Sequence, residues 1–207
     1  MQHLSQFEMG VAVKIPKAMN EFQPGDALLV VDVQNDFCPG GALGVPGGEE
    51  IVPILNNWIR KAHEAGIPVC FSRDWHPAHH VSFEERGGPW PPHCVQHTRG
   101  AELHGDLLLP ENALVINKAD TLDKDSYSAF GATSLADQLW RADVRRLWVG
   151  GLALDYCVME SALDAESLGF EVHLLLDATR AVDANPGDAC RAVERMQAGG
   201  VHIERGS

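Results

Sequence analysis

The sequence is short of basic residues, of paired cysteines and of long apolar runs, and each shortage removes a class of function. Sixteen Lys+Arg stand against 29 Asp+Glu, a formal net charge of −13 over 207 residues. A sequence-independent nucleic-acid binder needs a basic face to displace counterions from phosphates. An anionic membrane surface makes the same demand. Neither partner is expected. The five cysteines, Cys38, Cys70, Cys94, Cys157 and Cys190, are odd in number, widely spaced and free of any C-x-x-C. They do not read as a disulfide framework or a cysteine-ligated structural zinc site. Met1–Asn20 has no apolar core of signal-peptide length, and no later segment reaches the roughly 18 apolar residues of a membrane span. A cytoplasmic protein with free thiols is expected. There is no internal repeat and no low-complexity segment. Histidine, by contrast, is plentiful: ten in all, six of them between His76 and His104.

The length suits one domain with a sizeable core. Residues 1–25 close on Gln23-Pro24-Gly25, a turn signal, and read as an N-terminal extension to a domain over residues 26–207. From Asp26 onwards short apolar runs alternate with amphipathic stretches. Ala27–Val33 is the Leu/Val run of a strand buried on both faces. Glu49–Ala65 carries apolar residues at helical spacing, and Gly66 stops it. Strands follow at 67–71, 114–117, 146–149, 170–176 and 201–204, with helices at 134–141, 155–168 and 186–198. Asp155 is the expected N-cap of the helix over 155–168. Residues 74–112 are rich in Pro, Gly and His, and a long irregular stretch in a compact domain is usually functional. This alternation predicts an α/β protein: a single-domain, three-layer α/β/α fold with a mostly parallel sheet of roughly six strands.

Ligands of such sheets bind beyond the carboxyl ends of the strands. At those ends stand Asp32, then Asp74 and His76, then Lys118, and finally Cys157 in the first turn of a helix. A helix N-terminus and a lysine both favour a thiolate, which makes Cys157 the nucleophile candidate. Asp32, desolvated at the end of an apolar strand, has its pKa raised and suits proton transfer. Asp74-Trp75-His76 is a D-x-H pair whose side chains point the same way in extended chain. His93, its approach stiffened by Pro91-Pro92, can join them on a divalent transition metal with open coordination positions. His80 is a candidate for a further ligand. Taken singly, a buried thiol, a turn-capping carboxylate, an ion-pairing lysine and solvated loop histidines are each the commoner meaning of these residues; their convergence on one sheet edge favours catalysis.

Four segments in order, Asp32-Val33-Gln34-Asn35-Asp36-Phe37, Asp74-Trp75-His76-Pro77, Trp90-Pro91-Pro92-His93-Cys94 and Gly151-Leu152-Ala153-Leu154-Asp155-Tyr156-Cys157-Val158, resemble the nicotinamidase branch of the isochorismatase-like cysteine hydrolases. The resemblance spans about residues 26–201. It implies a triad of Asp32, Lys118 and Cys157, and one divalent metal (Zn, Fe or Mn) on Asp74, His76 and His93, with His80 or water completing the shell. It implies a cis peptide between Leu152 and Ala153, with the N–H groups of Ala153 and Cys157 aimed at a substrate oxygen. It places Phe37, Trp90, Tyr127 and Tyr156 around a pyridine ring, and so implies a small-molecule substrate such as nicotinamide or a pyrazinamide-like compound. The implied reaction is hydrolysis of nicotinamide to nicotinate and ammonia through a cysteine thioester, a step of NAD salvage. Leu154 stands where that pattern usually has Thr, and His97 where Gly is common. The alternatives are another amidase of the superfamily, acting on a carbamoyl or ureido compound, and a non-catalytic binding module of the same fold. A homo-oligomer is compatible with the sequence, which does not fix the number of copies.

Overall fold

The computed structural model describes residues 22–205; residues 1–21 of the expected extension lie outside them. Six strands form one parallel sheet: β1 (Asp26–Val31), β2 (Val69–Asp74), β3 (Leu114–Lys118), β4 (Arg146–Leu152), β5 (Glu171–Arg180) and β6 (His202–Glu204). Their order is β3-β2-β1-β4-β5-β6, and every pairing is parallel. The chain moves outward from β1 in one direction, then returns to β4 and moves outward in the other. The crevice between β1 and β4 is therefore the switch point at which such sheets bind ligands.

Alternation along the strands divides the core. Leu28 and Val30 of β1 and Trp148 of β4 face α1 (Val52–Ala65), which presents Leu55, Trp58, Ile59 and Ala62. Leu29, Val31, Leu147 and Val149 face the opposite layer, built from α2 (Leu135–Arg141), α3 (Met159–Ser167) and α4 (Asp188–Ala198). Burying each large apolar side chain contributes about 1.5–3 kcal/mol, so both layers are needed to hold a sheet of this composition. Phe22 belongs to the first layer and packs edge-on against Trp58 and Trp148. No described helix is long and apolar enough to cross a membrane.

Two local features differ from the sequence expectation. β5 runs on to Arg180, past a register shift between Val149 and Gly151 of its partner β4. The helix after β4 opens with a wide π turn over Leu154–Val158 before α3 begins. Asp155 does not cap it. Its carboxylate accepts the backbone N–H groups of Val182 (3.0 Å) and Asp183 (2.8 Å). The loop after β5 has no ladder partner there, and a buried N–H without an acceptor costs about 1–3 kcal/mol, so the loop claims the carboxylate. Residues 74–112 are irregular as expected, with only short 3-10 turns at Glu84–Arg86 and Arg99–Ala101.

Candidate active site

Four neighbouring strand ends deliver the site. Asp32 follows β1 directly with φ +49°, a left-handed conformation that turns the chain sharply at the strand end. Asp74 and Lys118 are register partners at the ends of β2 and β3. Next to the end of β4 stands Gly151, where φ is +132° and a Cβ would collide with the Val31 carbonyl oxygen, so only glycine lets the chain turn here. The Leu152–Ala153 peptide is cis, and the π turn carries Cys157.

Lys118, 1% exposed, sits at the centre. Its ammonium donates to Asp74 Oδ1, to the Ser126 carbonyl at 3.2 Å and towards Cys157 Sγ at 3.5 Å. It lies 3.0 Å from Asp32 Oδ2. Burial alone would deprotonate it, but Asp32 and Asp74 outweigh burial and hold its pKa well above the usual lysine value. Asp32 is fully buried. Its Oδ1 accepts from the Ser72 hydroxyl at 2.7 Å. Its Oδ2 is the one buried side-chain polar atom among the described residues without a hydrogen bond, although the lysine ammonium lies 3.0 Å away. That oxygen is free to take a proton. Burial raises the Asp32 pKa from 3.8 to about 6, with Lys118 opposing. One ligand-type atom each of Asp32, Asp74 and Cys157 lies within 4.8 Å of the others.

Cys157 is 6% exposed. Burial pushes its thiol well above 9, and although Lys118 pulls the other way, Asp32 and Asp74 reinforce the rise. Desolvation outweighs the lysine, so the thiol needs a base to take its proton.

Asp74, His76 and His93 also converge, one ligand atom of each within 4.8 Å of the others. His76 Nδ1 is 3.0 Å from the His93 carbonyl, and His93 Nδ1 is 2.8 Å from the Pro91 carbonyl. Each ring thus donates from Nδ1 and keeps the Nε2 lone pair for an ion, the arrangement typical of metal-ligating histidines. Burial lowers the His76 pKa to about 4, keeping the neutral form that ligation requires. One carboxylate and two imidazoles of fixed orientation suit a divalent transition metal. His80 stacks on His76 at 4.4 Å, but its own nitrogens are engaged by the Ser82 hydroxyl (2.8 Å) and the Lys124 carbonyl (3.1 Å).

The aromatic residues form the walls. Phe37, Trp90, Tyr127 and Tyr156 line one cleft together with His93, Asp74, Ala153 and Cys157. Trp90 Nε1 donates to the Tyr127 hydroxyl at 3.0 Å and meets Tyr156 edge-on at 5.3 Å.

A family model described as the isochorismatase domain matches residues 26–205. The chain belongs to the isochorismatase family. Within this family it is 41% identical over 182 residues to a nicotinamidase of Escherichia coli, covering 78% of this chain and 85% of the relative. The crystal structure of a Pyrococcus horikoshii pyrazinamidase in complex with zinc superposes with a TM-score of 0.85 at 50% identity, covering 88% of this chain and all of that one. The protein named PnC1 from L. infantum, solved in complex with nicotinate, gives a TM-score of 0.80 at 38% identity, covering 88% and 93%.

Several contributors to this isochorismatase-family site were not singled out from sequence. Leu43, Val45 and Val182 complete the cleft. Gln34 clamps the end of β2 by accepting the Asp74 N–H and donating to the Asp74 carbonyl, both at 2.8 Å. Ser72 fixes Asp32. Of these, only Gln34 lay inside a segment already picked out by its pattern. The two departures also find their places. His97 has φ +64°, the conformation that makes glycine common at that position, and its ring leans edge-on against Trp75. Leu154 is buried in the layer beneath α3, trading a hydroxyl for apolar contact.

Proposed function

We propose that this protein hydrolyses nicotinamide to nicotinate and ammonia through a thioester on Cys157. The observation that carries this reading is that a buried thiol, a carboxylate with a raised pKa and a lysine meet beside an aromatic cleft lined by Cys157, Asp74 and His93, with Asp74 shared between this group and the His76 and His93 pair. Its nicotinamidase relatives make the protein an amidohydrolase.

Asp32 takes the thiol proton from Cys157 through Oδ2, the carboxylate oxygen that accepts no hydrogen bond. The sulfur attacks the carboxamide carbon while Lys118 stabilises the emerging negative charge beside it. The backbone N–H groups of Ala153 and Cys157 receive the carbonyl oxygen as it becomes an oxyanion. Asp32 returns the proton to the departing nitrogen, and ammonia leaves. Asp32 then takes a proton from water, which attacks the thioester carbon; nicotinate leaves and the thiol regains the proton. Phe37, Trp90, Tyr127 and Tyr156 hold the ring and exclude solvent. Asp74, His76 and His93 would hold a divalent Zn, Fe or Mn ion, which when bound supplies a Lewis-acidic position for the pyridine nitrogen. An acyclic carbamoyl or ureido substrate has no use for either the flat walls or that position. As a source of nicotinate, the reaction would serve NAD salvage.

Ammonia release from nicotinamide is the direct test. It should stop after dialysis against a chelator and return with a divalent transition metal; unchanged turnover by fully chelated protein would sink the metal assignment. The pH profile tests Asp32. A base must be deprotonated to act, so kcat/KM should be flat at neutral pH and fall about tenfold per unit below about pH 6. A profile that stays flat down to the ordinary carboxylate value of 3.8 would remove Asp32 as the base.

A further inference from the structure

A second cluster of metal-ligating side chains lies at the far end of the sheet. β5 and β6 pair with His173 directly beside His202. Glu171 stands two residues before His173, and Glu204 two residues after His202, so all four side chains leave the same face of the sheet. In register, this row matches Trp148 and Leu28. It therefore lies four residues, or about 13 Å along the strand, from Asp32.

His173 is buried, and its two nitrogens face two carboxylates. Nδ1 is 2.7 Å from Glu204 Oε1 and Nε2 is 2.9 Å from Glu171 Oε1. A neutral imidazole carries one N–H. It can satisfy one carboxylate, and the other contact then needs a cation. The nearby guanidinium does not supply it: Arg146 is held by Asp26 through two hydrogen bonds of 2.8 and 2.7 Å. Stacking on Trp148 at 4.6 Å fixes the buried His173 ring; the exposed His202 ring lies nearly parallel to it at 4.9 Å and is the one that turns to meet a shared ion. One ligand atom each of Glu171, His173 and His202 lies within 4.8 Å of the others. The 2.9 Å separation of His173 Nε2 and Glu171 Oε1 is close to the edge of about 3.3 Å in a tetrahedral site with bonds of 2.0–2.1 Å.

We propose that Glu171, His173 and His202 bind a divalent transition metal ion of the zinc type, with Glu204 accepting from His173 Nδ1 and so presenting Nε2 to the ion. Two imidazoles and a carboxylate are a ligand set zinc accepts, with water in the fourth position, and the carboxylate behind the histidine orients it. The ion ties the three-residue edge strand β6 to β5. The site is structural, separate from the cleft and independent of whether the cleft holds a metal.

The test counts zinc where the cleft set has been removed. The His76→Ala/His93→Ala double variant, dialysed against Zn2+ and analysed for metal, should keep about one zinc per chain. Adding His202→Ala or Glu171→Gln, both at exposed positions, should remove it, together with the zinc-dependent rise in Tm. In the otherwise unaltered chain, His202→Ala should lower zinc content by about one per chain while nicotinamide hydrolysis persists; this comparison stands even where the double variant fails to fold. Equal zinc content with and without His202→Ala would overturn the proposal and leave a proton as the cation between the two carboxylates.

Discussion

Cys157→Ala is expected to lower kcat for nicotinamide hydrolysis by a factor on the order of 10^4 or more while leaving the fold intact. The side chain is the only thiol in contact with both Lys118 (3.5 Å) and the cleft. Of the other cysteines, Cys38, Cys70 and Cys94 are buried and Cys190 is exposed, and none lines the cleft, so none can substitute for it. Alanine removes a sulfur from an already desolvated position, and Tm should move by only a few degrees. The Asp74, His76 and His93 set is untouched, so nicotinate should still bind the metal-loaded variant. Turnover within tenfold of the unaltered enzyme would dismiss the covalent mechanism, as would failure to trap an acyl group on this residue in rapid-quench mass spectrometry of the parent enzyme.

Lys118→Met should be the most damaging substitution for stability. Methionine fills much of the same volume, but the charge is lost from between Asp32 and Asp74, both buried. Breaking a buried ion pair by removing one partner costs about 3–5 kcal/mol, because the remaining charge is left uncompensated. The sign of the pH dependence follows from the groups themselves. Burial raises the Asp32 pKa to about 6 although Lys118 opposes it, and Lys118 helps to hold that of Asp74 below its ordinary value; without the ammonium both would rise. Lys118 itself, with its pKa raised, contributes its full stabilisation throughout the neutral range. The penalty should therefore grow as pH rises through neutrality and shrink towards pH 5, where Asp32 of the variant is protonated. Urea midpoints at about pH 5 and 8 measure this. A penalty below about 1 kcal/mol at the higher pH, or one that grows on acidification, would mean that the lysine is not the counter-ion described. Hydrolysis should be lost at either pH, since the developing negative charge on sulfur also loses its neighbour.

Much of the architecture was legible because buried parallel strands leave an unmixed signal. The Leu/Val run of β1 is apolar on both faces, and Gly66 and Gly169 end helices where the periodicity stops. The site was legible in part for a related reason: a charged residue directly after such a run, as with Asp32 or Lys118, has little to do there except meet a ligand or another charge. What escaped was neutral or local. Ser72 sits inside β2 and reads as an ordinary strand residue, because nothing in its neighbours reveals that a carboxylate 40 positions away needs its hydroxyl. Asp155 misled because an acid at the start of a helix is a good cap, and only the tertiary arrangement reveals two unsatisfied N–H groups at Val182 and Asp183. For Cys157 the sequence shows the positive neighbours, whereas the depth of burial that outweighs them is a property of the folded chain.

The site draws its two halves from parts of the molecule that differ in how readily they open. Asp32, Asp74 and Lys118 stand at the ends of three neighbouring strands, and their spacing is set by the roughly 4.8 Å separation of strands in a sheet. Phe37, Trp90, Tyr127 and Val182 come from the connections between elements. Backbone amides in core strands exchange only through the costliest openings, and those in loops through the cheapest. The cleft walls can thus breathe to admit and release a ligand while the buried charged groups keep their distances, and access to the site becomes a motion distinct from the geometry at its base.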